Sequence, residues 1–103
     1  MSDKYVLDAV GEPMRCADLM EWARWFETAD SARRIAETNV GDVRVSTVFL
    51  GLDHSWGSGP PLLFETMIFG GAHDEEQWRY STRAEAVAGH AAAVKLAGGS
   101  AHG

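Results

Sequence analysis

The chain has 103 residues, 46% apolar and 23% charged, a composition that fits one globular domain and leaves no room for a second. Fifteen acidic against nine basic side chains give a formal net charge of -6, so nucleic-acid phosphates are repelled unless a local basic patch reverses the field. Cys16 is the only cysteine, which excludes an internal disulfide and a multi-thiolate zinc site.

The tightest basic cluster is Arg33 with Arg34, so nucleic acid is not the expected partner. No run of ~18 apolar residues and no apolar leader occurs, and neither membrane insertion nor export is expected. The expectation is a cytoplasmic protein.

In chain order, "KYVLD" and "PMRC" flank "AVGE", whose Gly11 suits a tight turn, and an N-terminal hairpin is expected over residues 4–16. Asp18 and Glu21 then stand three apart before an apolar pattern, the spacing of a capping box, and predict a helix over 18–29. Leu19, Trp22, Ala23 and Phe26 share one face of that helix, with Trp25 about 120° away, either at the edge of the core or on the surface.

Strands are expected over 34–39 and 43–50, the second rich in β-branched residues. Along it Val43, Val45, Thr47 and Phe49 share one side, and Arg44, Ser46, Val48 and Leu50 the other. The run 62–69, "LLFETMIF", is likewise apolar on both faces towards one end. Both runs read as central strands, covered on both sides or paired across a subunit interface. A last strand follows at 77–81.

The C-terminal segment has Thr82 and Glu85 in capping-box spacing and predicts a helix over 83–97, with Ala84, Val87, Ala88, Ala91 and Val94 as a slim packing face. The tail at 98–103 is expected to fray. The order β-β-α-β-β-β-β-α, with short connections, defines an α+β single domain built on a mainly antiparallel sheet with two helices.

The stretch "GLDHSWGSGPP", residues 51–61, gathers Asp53, His54, Ser55 and Trp56 in a glycine-rich loop between two strands. Eight strand residues at roughly 3.3 Å each would hold His54 about 25 Å from His73, which argues against a shared metal site; no metal and no cofactor are expected. Adjacent residues of an extended chain point apart, so "DHS" is not a preformed catalytic triad, and Asp53 and Ser55 read first as caps for loop amides. His54 reads as a ligand contact, a general base or a side chain packed on Trp56. "GSGPP" lacks the lysine and the following helix of a phosphate-binding loop.

Glu65 lies inside an apolar strand and needs a partner, with Arg44 and Arg79 the candidates. Trp25, Trp56 and Trp78 are not all accounted for by the core, and exposed tryptophans concentrate at interfaces. The expected contact surface, for a partner or a ligand, therefore comprises Asp53, His54, Ser55 and Trp56 with Trp25, Glu65 and Arg44.

The run "VSTVFLGLDHSWGSGPPLLFETMIFGG", followed by "RYSTRAEAVAGH", resembles a family of small proteins encoded by tailed bacteriophages and prophages, over roughly residues 34–95. The resemblance implies a phage or prophage origin and brings no activity that attaches to particular residues. Small phage accessory proteins often act by binding, which makes a non-enzymatic binder of a host protein or a small signal molecule in the bacterial host's cytoplasm the expected function, with antagonism of a host defence system the role that this implies. A small hydrolase or nucleotide-processing enzyme using His54 with Asp53 or Glu65 is the rival, and a virion assembly subunit the third reading. A homodimer or higher homo-oligomer is compatible with all three.

Overall fold

Two apolar layers with a polar layer between them organise the core, and the alternation of two adjacent strands creates them. A computed structural model describes residues 3–57 and 59–98; of the tail expected to fray at 98–103, Gly98 ends the C-terminal helix instead, and 99–103 lie outside the described residues. In chain order the elements are β1 (Tyr5–Leu7), β2 (Pro13–Arg15), α1 (Leu19–Thr28), α2 (Asp30–Arg33), β3 (Arg34–Val40), β4 (Val43–Phe49), β5 (Phe64–Phe69), β6 (Gln77–Tyr80) and α3 (Arg83–Gly98). The fold is the α+β arrangement anticipated, with β1 and β2 a separate antiparallel hairpin and β3-β4-β5-β6 an antiparallel meander.

β4 and β5 are central, as their sequences imply, and pair with Thr47 opposite Thr66, Phe49 opposite Phe64 and Val45 opposite Ile68. These six side chains are fully buried beneath α3. Phe49, Phe64, Leu7, Leu63 and Ala86 form one apolar cluster; Val45, Ile68 and Ala93 form the other. Between the two, His90 of α3 comes down on the threonine pair, with Nδ1 2.7 Å from Thr47 Oγ1 and Nε2 2.9 Å from Thr38 Oγ1.

Five expectations are corrected. α3 does not bury the face of Ala84, Val87, Ala88, Ala91 and Val94: Val87 is 53% exposed, and the buried line is Ala86, His90 and Ala93. The sheet offers hydroxyls to His90 at that point, so a polar side chain faces the core. Leu19 is exposed as well, because α1 packs near its middle, through Trp22, Trp25 and Phe26, rather than at its first turn. A third helix, the single turn α2, precedes β3, held by Asp30 against both Arg33 and Arg34.

The fourth correction concerns one of the two alternatives for β4 and β5, covering on both sides by this chain, and does not bear on the other, pairing across a subunit interface. Within the described chain α3 covers one face of the meander, while the opposite face, with Arg44, Ser46, Val48, Glu65, Met67 and Phe69, has no element over it. The apolar character there is tempered by ion pairs, Arg44 with Glu37 at 3.6 Å and Arg79 with Glu65 at 3.0 Å. Finally, the run expected at 62–69 is regular strand only from Phe64: the Leu62 amide is taken by the Asp53 side chain, while Leu63 still bonds both neighbours, its amide to Tyr80 O and its carbonyl to the Leu50 amide.

The helix starts follow their caps. Asp18 Oδ1 accepts from the Glu21 amide at 3.0 Å, and Thr82 with Glu85 forms the reciprocal box, each side chain bonding the other's amide at 3.1 Å.

Candidate functional site

Loop 50–63 leaves the end of β4 and returns at the start of β5, and its two limbs are fixed by different means. The outgoing limb adds to the N-terminal hairpin: the Tyr5 amide donates to Gly51 O at 2.9 Å, Lys4 bridges Leu52, and the Asp53 amide donates to Asp3 O at 3.0 Å. Trp22 reaches over from α1 and donates its indole N–H to the carbonyls of both Tyr5 and Gly51, at 3.1 and 3.0 Å. Gly51 is required here, since its φ of +78° is left-handed and a Cβ would strike the Phe26 ring.

Asp53 ties the two limbs together. Its Oδ1 accepts from the Ser55 amide at 2.8 Å and from the Leu62 amide, nine residues on, at 3.0 Å. These bonds, those of Ser55 first, outweigh partial desolvation and hold the Asp53 carboxyl below the ordinary aspartate value. A further clamp runs from the His54 amide to Leu62 O at 3.0 Å. The capping role read from the sequence for Asp53 is what the geometry shows; the carboxylate is occupied in holding the loop.

Beyond this clamp the loop presents Trp56, 95% exposed, so that it is not packed on His54; His54 and Ser55 are half-buried. Among the described residues no three His, Cys, Asp or Glu side chains converge in a way that could hold a metal ion. His73 stands in the connection from β5 to β6, at the opposite end of the sheet from His54, and pairs there with Glu76 at 2.6 Å.

The remaining candidates do not join this loop. Trp25 is half-buried and packs edge-on against Phe49, ring centroids 5.9 Å apart. Glu65 and Arg44 lie on the uncovered sheet face, Arg44 at the far end of β4 with its guanidinium 4.2 Å above the Phe69 ring. Of the two partners considered for Glu65, Arg79 is the one it has.

A second feature was only partly visible in the sequence. Beside the edge strand β6, an apolar groove of ≈ 430 Å³ is lined by Trp78, Tyr80, Gly89, Ala92, Ala93 and Leu96. The alternation of Trp78 and Tyr80 with Gln77 and Arg79 signals a strand with one apolar face; that α3 leaves part of this face open is a matter of helix placement, which no local pattern encodes.

No protein-family model, curated protein or solved structure matches this chain. No helix among the described residues is long and apolar enough to cross a membrane.

Proposed function

We propose that the protein is a non-catalytic binding module that engages a partner through the loop carrying Trp56. One observation carries this reading: a tryptophan 95% exposed on a loop whose limbs are bolted together by Asp53. An exposed indole offers roughly 200 Å² of largely apolar surface, and burying it against a partner is worth about 4 kcal/mol. A clamped loop loses little conformational entropy on binding, so more of that energy appears as affinity.

The resemblance of residues 34–95 to small phage and prophage proteins supports a host protein as the partner, with a small signal molecule the alternative ligand. Antagonism of a host defence component is the corresponding biological role, and a cytoplasmic location goes with it. The enzymatic reading draws no support from Asp53, whose carboxylate is committed to backbone amides and to the loop's shape.

The test is affinity capture and native mass spectrometry in lysate of the parent bacterium, comparing the wild-type protein with Trp56→Ala and His54→Ala. The expected result is a partner retained by the wild type and lost from Trp56→Ala. A captured set indifferent to both substitutions overturns the reading, and turnover of a small molecule without retention puts the enzyme in its place.

A further inference from the structure

The two edges of the meander are not alike. β3 carries a register shift between Arg34 and Ala36, the kind of irregularity that protects an edge from pairing with another chain. β6 has no proline and, over Gln77–Tyr80, no register shift in its pairing with β5; its irregularity, Glu75 and Glu76 both bonding Ile68, lies before the strand, and along the strand runs the apolar groove of Trp78, Tyr80, Gly89, Ala92, Ala93 and Leu96. We propose that β6 is a homodimer seam, at which a second copy of this chain pairs antiparallel about Trp78 and the two meanders become one eight-stranded sheet.

The register follows from which backbone groups are free. The Ile68 amide donates to Glu76 O, while the Glu76 amide itself bonds His73 O; in step with that carbonyl, Trp78 and Tyr80 turn their amides and carbonyls towards β5, while Gln77, Arg79 and Ser81 turn theirs outward. The Ser81 amide is already taken by Glu85 Oε1 at 3.1 Å. Gln77 and Arg79 therefore supply the available pair of outward donors. A two-fold axis at Trp78 sets Gln77 of each copy against Arg79 of the other, using both groups of both residues. An axis at Arg79 needs the Ser81 amide and sets two arginines face to face.

Charge favours the same arrangement. Asp74, Glu75 and Glu76 precede the strand, while Arg79 lies in its second half and Arg83 just beyond it. Antiparallel pairing brings the acidic end of one copy beside the basic end of the other, whereas parallel pairing opposes like charges. On the helix side the two Trp78 rings meet across the axis at a closely spaced pair, and the exposed Leu96 and Ala92 flank them, so the groove of each copy is closed by the other. The two Trp56 loops then stand at opposite ends of the joined sheet, because β6 ends at the loop 50–63 end of its own subunit.

Sedimentation velocity from ~1 µM to ~1 mM, with amide hydrogen exchange, tests this. The expected result is a concentration-dependent dimer in which the Gln77 and Arg79 amides, outward-facing in the single chain, become protected. Gln77→Pro removes a donor that the monomer does not use and should weaken the dimer by about tenfold or more. Leu96→Glu, which places a charge at the groove rim, should do the same and keeps the test decisive if the proline variant fails to fold. A protein monomeric throughout this range overturns the seam. So does a dimer that survives both substitutions with Gln77 and Arg79 unprotected, a result that would move the interface to the uncovered sheet face.

Discussion

His90 Nδ1 lies 2.7 Å from Thr47 Oγ1 in the middle of the core, and this contact sets the docking of α3 on the sheet. The Thr47 hydroxyl also meets that of Thr66, while the other ring nitrogen meets Thr38. The four side chains form one chain of hydrogen bonds, and every hydroxyl can act as donor or acceptor, so either neutral tautomer of the ring is satisfied. A polar layer between two apolar clusters fixes the register of helix against sheet in a way that alanines alone could not.

His90→Ala removes the ring from a site where it is only 7% exposed and leaves threonine hydroxyls short of partners. The expected loss of stability is about 2–4 kcal/mol, from cavity and unmet hydrogen bonds together. Urea unfolding measures it. Combining His90→Leu with Thr47→Val and Thr66→Val should cost less than the sum of the three single changes, because groups that depend on one another are removed together.

The same burial makes stability depend on pH. Desolvation lowers the His90 pKa below its ordinary value, so on acidification the unfolded chain takes up the imidazole proton before the folded one does. The folded state is therefore favoured at and above neutral pH. It loses stability as pH falls from about 6.5 towards the folded-state pKa, at no more than about 1.4 kcal/mol per pH unit for one proton. His90→Gln does not titrate, so unfolding free energies measured for both proteins across pH 5–8 should converge towards the acid side. Parallel curves would exclude His90 as the source.

How far the sequence discloses this architecture depends on what each pattern encodes. The period-two alternation of "VRVSTVFL" placed Val45, Thr47 and Phe49 on one face correctly, because the pleat alone determines it. The capping boxes at Asp18 and Thr82 marked the helix starts to within a residue. The buried face of α3 was misassigned: with many alanines around the helix, apolarity did not distinguish its sides, and the side chain that does, His90, reads as polar until Thr47, Thr66 and Thr38 are seen beneath it. Asp53 was legible as a loop cap, although its reach to Leu62 depends on the two limbs meeting. Glu65 asked for a cation, and only the pairing of β5 with β6 chose Arg79 over Arg44.

The clamp in loop 50–63 gives a graded expectation. Asp53→Ala removes the acceptor shared by the Ser55 and Leu62 amides, and both should exchange with solvent up to about tenfold faster. Asp53→Asn keeps an oxygen in place and should retain part of the protection. Because the Asp53 carboxyl is held below its ordinary value, the clamp is at full strength above about pH 4 and is lost as pH falls through the folded-state pKa. Two-dimensional NMR of the wild type between pH 6 and pH 2.5 should show the Ser55 and Leu62 amides shifting together at the acid end. If neither responds while the fold persists, the carboxylate is not what joins the limbs.

Gly89 in α3 sets helix propensity against packing. An alanine in mid-helix is ordinarily favoured over glycine by about 1 kcal/mol, yet a Cβ at this position would overlap the Tyr80 ring at Cζ, Oη and Cε1. Tyr80 is half-buried against the apolar cluster of Phe49 and Phe64, so moving its ring aside gives up part of that packing, and keeping it in place pushes the helix off β6. Overpacking of this kind costs about 1–3 kcal/mol, and Gly89→Ala should come out destabilised, the reverse of its propensity. Gly89→Ala combined with Tyr80→Leu removes the obstructing ring and should recover the propensity gain relative to Tyr80→Leu alone. Thermal unfolding of the four proteins of this cycle decides the matter, and an additive result would mean that α3 does not approach β6 closely enough for Tyr80 to exclude a methyl group.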